Sequence, residues 1–213
     1  MNISEKLKNI REFNRNIFVN KKNRNRLQNK EFTLISSDCT GGVITHDLGL
    51  KFNSPTVNMF FSASDFIKFL GNINYYLDCV MEDVTTINDN WPVAKLGDIK
   101  LQLVHYNSIS EAQEVWDRRK KRIIGDNLFV IMNDRNGCTE ENLAQFQRLN
   151  YRKTFLTHNK EWAEKYECAY YISKGELEGE NEGKVYTITS FIPKYGIHRL
   201  IDEFDYVSFL NNN

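Results

Sequence analysis

Residues 36–47 read Ser-Ser-Asp-Cys-Thr-Gly-Gly-Val-Ile-Thr-His-Asp, which places a thiol (Cys39), two carboxylates (Asp38, Asp47), an imidazole (His46) and several hydroxyls in one short stretch. These are the ingredients of nucleophilic catalysis, with Cys39 as nucleophile, His46 as its base and Asp38 or Asp47 orienting the imidazole. A cysteine acts this way only if a base, a cation or a helix N-terminus lowers its pKa from about 8.5. Without that help Cys39 is a packed thiol in a tight turn. Gly41 and Gly42 would let backbone N–H groups approach a phosphate or an oxyanion, although the stretch is neither G-x-x-x-x-G-K-[ST] nor G-x-G-x-x-G.

Other polar clusters also follow apolar runs: His105-Tyr106-Asn107, Asn133-Asp134-Arg135 and Thr157-His158. Asp134 suits a sugar hydroxyl or a divalent metal, and equally a plain turn that caps the next helix. In the run Arg118-Arg119-Lys120-Lys121-Arg122, Arg118 or Arg122 could hold a pyrophosphate by a bidentate fork, as a nucleotide-sugar donor would require. The other members read as a solvated helix end favoured by the macrodipole. His105 and His158 have no second ligand at helical or strand spacing, so no metal site is expected.

These clusters need elements to position them. A strand over Phe32–Ile35 would end in the Ser36–Gly42 loop, and Val57–Phe61 reads as a second short strand. Ser62 opens a helix whose apolar stripe runs from Phe66 to Val80. Trp91–Asp98 is a turn-rich connection into a strand from Ile99, and a helix follows from Ser110 to about Ile124. Leu128–Met132 has the continuous apolar character of a strand buried on both faces. A helix from Thr139, a strand over Thr154–Leu156 and a helical piece around Trp162 repeat the pattern. Strand, polar loop and helix recur, which predicts an α/β fold of three layers, a largely parallel or mixed sheet with helices on both faces. Ligands bind outside the carboxyl ends of such strands, where these polar clusters would share one crevice. Lys174–Gly183 reads as an acidic, glycine-rich connector between two strands, Val185–Thr189 alternates, and a closing helix is expected from His198 through Phe209.

A chain of 213 residues with 41% hydrophobic and 13% aromatic content can bury a real core. We read one α/β domain over residues 31–213 behind a basic leader at residues 1–30. With 28 basic and 28 acidic side chains the net charge is zero, so no nucleic-acid partner is expected. The leader departs from this balance, with nine Lys or Arg against Glu5 and Glu12. It predicts at most a short amphipathic helix and then a solvated basic segment, with peripheral contact to an anionic membrane surface as the functional alternative. No run approaches the roughly 20 apolar residues of a spanning helix, and no signal peptide is evident, so a cytoplasmic protein is expected, at most peripheral to the inner face of the membrane. Cys39, Cys79, Cys138 and Cys168 are scattered without C-x-x-C pairing and read as reduced thiols.

The runs Ser36–Gly42, Asp47-Leu-Gly-Leu50, Ser54-Pro-Thr56, Asp65–Leu70, Trp116–Ile123 and Asn127–Cys138 together resemble the bacterial domain of unknown function 1919 family, over most of the chain. The resemblance implies an α/β protein of surface-polysaccharide (capsule or exopolysaccharide) gene clusters, with no reaction attached. Where the family often shows Asn-Cys-Trp-Gly-Gly, this chain has Asp38-Cys-Thr-Gly-Gly42 and lacks the aromatic beside the thiol. The expectation is a transferase acting on a sugar or sugar-phosphate in polysaccharide biosynthesis, with a carbohydrate or nucleotide-sugar substrate and no other cofactor. Asp38, His46 or Asp134 would take the acceptor proton. No D-x-D metal motif is present. The enzyme alternative is a cysteine-dependent acyl transferase or hydrolase built on Cys39. The third reading is a non-catalytic carbohydrate-binding or scaffolding component.

Overall fold

In the computed structural model of the chain, which describes residues 3–173, 187–192 and 196–212, helix precedes the first strand. Helix α1 (Ile3–Arg15) runs through a π-helical turn (Asn16–Asn20) into α2 (Lys21–Arg26), and β1 (Thr33–Ser36) leads directly to α3 (Thr40–Asp47). Then come α4 (Ala63–Gly71), α5 (Ile73–Asp78) and three short strands, β2 (Met81–Asp83), β3 (Val93–Leu96) and β4 (Ile99–Gln102). Helix α6 (Ile109–Lys120) returns the chain to β5 (Leu128–Asn133), α7 (Glu140–Arg148), β6 (Arg152–Thr157), α8 (Lys160–Lys165) and β7 (Ala169–Tyr171). A 3-10 turn (Leu200–Glu203) and α9 (Tyr206–Asn211) complete the described elements.

The fold is mixed α/β. Strands β1-β5-β6-β7 form a four-stranded parallel sheet in that order, so their carboxyl ends emerge along one edge. The period-two alternation of a strand sorts its side chains into two cores. Ile35, Val130, Met132 and Phe155 pack with Phe66 and Phe69 of α4, Trp116 of α6 and Phe146 of α7. Leu34, Phe129, Ile131 and Leu156 face the other way, onto Ile44 of α3 and Tyr206, Val207 and Leu210 of α9. A sheet buried on both faces demands the near-continuous apolar composition of Leu128–Met132.

Several expected elements differ. Strands β2, β3 and β4 form a separate antiparallel sheet rather than extending the parallel one. Half of the expected turn-rich connection Trp91–Asp98 is β3, which turns into β4 at Gly97, where φ is +62° as the first position of a tight hairpin requires. Val57–Phe61 is not a strand: Asn58 has φ +72°, and Phe60 alone bridges to Gln102. The helix expected from Ser62 to Val80 breaks at Asn72 (φ −148°, ψ 55°), giving α4 and α5. The closing helix is likewise two pieces, because Asp205 leaves the helical region to cap α9 through Ser208 N. Residues 174–186, the acidic connector and the start of the alternating run, lie outside the described residues, and Thr187–Ser190 makes a turn. The first 26 residues hold far more helix than expected, and Leu27 behind them is buried. Among the described residues no helix is long and apolar enough to cross a membrane.

Candidate functional site

At the carboxyl edge of the parallel sheet, Asn133, the last residue of β5, and Asp134 just beyond it diverge toward the two neighbouring strands. Asn133 Nδ2 donates to Asp38 Oδ2 at 2.8 Å, in the loop after β1. Asp38 Oδ1 in turn accepts from Thr40 N at 2.9 Å, at the start of α3. On the other side the Asp134 carboxylate accepts from the Thr157 hydroxyl at 2.9 Å and from His158 N at 2.6 Å. Both of its oxygens also stand 3.3 Å from His158 Nδ1.

Burial by itself would raise the Asp134 pKa. The His158 ring, the His158 amide and the Thr157 hydroxyl outweigh it and hold the carboxyl below its ordinary range. An ionised carboxylate only accepts, so Nδ1 carries the proton in this pair, and in the neutral tautomer it is Nε2 that has a lone pair to offer. The His158 side chain is 6% exposed, and its Nε2 is buried without a hydrogen-bond partner. Ser37 Oγ and Thr40 Oγ1, at the end of β1, are buried and unpartnered as well. An unsatisfied buried polar atom costs about 1–3 kcal/mol; Asn20 Oδ1, Trp116 Nε1 and Arg199 Nε are in the same state elsewhere, and the three here stand out by lying around one sheet edge.

The two cysteines nearby are thiols. Burial first, and the Asp38 charge second, push Cys39 up to about 11. Burial and Asp134 push Cys138 up to about 12. Neither surrounding favours a thiolate at neutral pH.

The expected catalytic group around Cys39 is not assembled. Helix α3 begins directly after Cys39, so Gly41, Gly42, His46 and Asp47 are helical rather than in a loop. His46 lies about 10 Å along the axis from Cys39, with an exposed side chain 3.5 Å from Asp47 Oδ1. The glycines serve packing. Gly41 N donates to Ser36 Oγ at 2.9 Å, and a Cβ there would stand 2.7 Å from that oxygen. A Cβ on Gly42 would stand 3.1 Å from Val57 Cγ1. The two glycines thus let α3 lie close against β1 and the Val57 segment.

Asp47 belongs to a different environment. Its Oδ2 accepts from Arg15 Nε at 2.9 Å and lies 3.4 Å from Arg199 Nη1, while its carbonyl accepts from Arg24 Nε at 2.8 Å. The Arg15 guanidinium also donates to both oxygens of Asp202 at 2.6 and 2.8 Å and to Ile197 O at 3.1 Å. Burial opposes the charge on Arg15, but Asp202 and Asp47 more than compensate and raise its pKa.

The other expected binding residues scatter. His105 is exposed in the turn that follows β4. Arg118 is exposed on α6, and Arg122 donates to Phe52 O at 3.3 Å near the amino end of β1. Between them Arg119, which the sequence did not single out, is buried and donates to Val57 O and the Tyr106 hydroxyl, both at 3.0 Å. Arg135 does stay at this sheet edge, its amide donating to Asn133 Oδ1 at 3.2 Å. Asp38, Asn133, Asp134, Thr157 and His158 therefore make up the candidate site. Asn133 and Thr157, polar residues that end apolar strands, stand in the clusters that the sequence places together, although it assigns neither a role of its own.

The fold and this edge define an α/β protein with a histidine–aspartate pair at the carboxyl ends of a parallel sheet. The model of the domain of unknown function DUF1919 matches residues 9–211, and the chain belongs to that family. An uncharacterized protein of Haemophilus influenzae is 36% identical over 213 residues, a match that covers all of both chains.

Proposed function

We propose that the protein is a transferase of bacterial surface-polysaccharide (capsule or exopolysaccharide) biosynthesis that moves a sugar or sugar-phosphate from a nucleotide-sugar donor onto an acceptor hydroxyl. The observation that carries this reading is the Asp134–His158 pair, whose Nε2 lone pair has no protein partner at the edge where parallel sheets bind ligands. His158 accepts the proton of the attacking hydroxyl, and Asp134 holds the ring in the tautomer that permits it. Asp38 and Asn133 present oxygen and amide groups to sugar hydroxyls, and Arg135 on the same loop supplies charge toward the leaving phosphate. The resemblance of the Ser36–Gly42 and Asn127–Cys138 runs to proteins of polysaccharide gene clusters supports the substrate class. A cysteine-dependent reaction has less support, since Cys39 is held as a thiol and His46 is a helix-length away.

Thermal-shift measurements against nucleotide sugars, with and without manganese, test the substrate class. Stabilisation by one donor is expected, and His158→Gln should keep that shift while turnover falls by about 10²–10⁴-fold. If no donor stabilises the protein, or if His158→Gln turns over at the parent rate, the proposal fails.

A further inference from the structure

The N-terminal helix presents an apolar stripe to solvent. Leu7, Ile10, Phe13, Ile17 and Phe18 are between 42% and 65% exposed, far more than large apolar residues that pack in a core. Their spacing of three and four residues places Leu7, Ile10 and Phe13 on one face of α1. The π-helical turn at Asn16–Asn20 winds less per residue than an α-helix, which keeps Ile17 and Phe18 in line with that face. The helix is also held in place. Arg15, 1% exposed, clamps it to Asp47 and Asp202 of the body, so the stripe is aimed outward by a buried anchor.

The charge around the stripe identifies what would cover it. Residues 3–26 carry eight Lys or Arg against Glu5 and Glu12. Arg15 and Arg26 are paired with body carboxylates and Arg199 stands 3.6 Å from Glu12, whereas Lys6, Lys8, Lys21 and Lys22 are exposed. Phe18 and Lys22 also share the wall of a groove of about 390 Å³ that runs on toward Asp202 and Asp205, the carboxylates held by Arg15 and Arg26. A second copy of the chain would bring two basic helices together, and a nucleic acid would leave five apolar side chains in water. An anionic bilayer answers both features at once.

We propose that this face seats the protein on an anionic membrane surface, with Leu7, Ile10, Phe13, Ile17 and Phe18 in the headgroup region and Lys6, Lys21 and Lys22 on lipid phosphates. The inference is independent of the proposed reaction, because binding is read without substrate. Co-sedimentation of the full chain with phosphatidylglycerol/phosphatidylcholine vesicles tests it against vesicles of phosphatidylcholine alone. We expect pelleting with the anionic vesicles at low ionic strength, and loss of it as salt is raised. Lys21→Gln/Lys22→Gln should weaken partitioning by roughly 25-fold, about fivefold for each lysine. Phe13→Ser/Phe18→Ser should weaken it by at least about tenfold without altering the unfolding transition, since both rings are exposed, and Leu7→Ser/Ile10→Ser is the independent check on the first turns. Absence of pelleting with phosphatidylglycerol vesicles overturns the proposal, as does a Phe13→Ser/Phe18→Ser protein that pellets like the parent. A dimer in light scattering that Phe13→Ser/Phe18→Ser dissolves, with no vesicle binding by the parent, assigns the face to a second copy instead.

Discussion

Two carboxylates leave bulk water in this protein and meet opposite fates. Asp47 sits among Arg15 and Arg199, with Arg24 on its own carbonyl; the Arg15 guanidinium donates four bonds, to Asp47, to both oxygens of Asp202 and to Ile197 O, while Arg199 Nε is buried without a partner. Asp134 is answered by a hydroxyl, an amide and an imidazole, and the imidazole keeps one nitrogen unused. Guanidinium has no accessible neutral form, so a buried arginine pair cannot take up or release a proton near neutral pH. An imidazole held by a carboxylate is both anchored and able to take a proton. The first region fastens the N-terminal helices to the body, and the second carries the chemistry we propose.

The widest break in the comparison should come from Arg15→Met, which leaves buried Asp47 and half-buried Asp202 without their shared cation. Urea unfolding should show a loss of roughly 3–5 kcal/mol. A loss below about 1 kcal/mol would mean that the arginine network is incidental. Asp134→Asn should cost less in stability, about 1–3 kcal/mol, and far more in turnover. Its pH dependence has a definite sign. Because the folded pKa of Asp134 is depressed, its contribution is complete above the ordinary carboxylate value of about 4 and is lost as pH falls through the lower folded value. The parent should therefore lose stability on acidification over that window more steeply than Asp134→Asn, and parallel curves for the two would remove the argument.

Gly41→Ala sets a Cβ 2.7 Å from Ser36 Oγ, and the resulting displacement of α3 from β1 should cost about 1–3 kcal/mol. A more stable alanine variant would show that helix propensity outweighs the contact. Cys39→Ser should leave turnover unchanged, and the parent thiol should react with iodoacetamide more slowly than free cysteine, since burial and Asp38 keep it protonated. Rapid alkylation at neutral pH would return Cys39 to the chemistry. The smallest effect belongs to His46→Ala, whose exposed ring should change stability by no more than about 0.5 kcal/mol.

Much of the parallel sheet was legible because its signals are local. Leu128–Met132 announces a strand buried on both faces, and Ser62 and Thr139 mark helix starts that the structure caps through their hydroxyls, whereas the helix expected from Ser110 begins at Ile109 with Ser108 as its cap. Strand β3 was hidden by Pro92 before it and Gly97 after it, which read as turn residues although they bound a strand. The basic run misled for a geometric reason: one residue is about 100° of helix rotation, so Arg119 turns inward to Val57 O while Arg118 remains outside. The crevice was half legible. Polar residues after apolar strands pointed to Asp38, Asp134 and His158, but proximity in sequence joined Cys39 to His46 and Asp47, which α3 then separated along its axis.

The chain's order of apolar and polar residues determined that strands alternate with helices and that polar groups end the strands, because periodicity and capping depend on neighbours a few residues apart. Which polar ends meet was decided by strand order alone. Asp134 reaches His158 across 24 positions because β5 and β6 are adjacent, and Arg15 reaches Asp202 across 187 because the N-terminal helix docks beside the last turn of the chain. Such pairs are fixed by burial of the two cores on either face of the sheet, a property of the assembled layers that no local pattern carries.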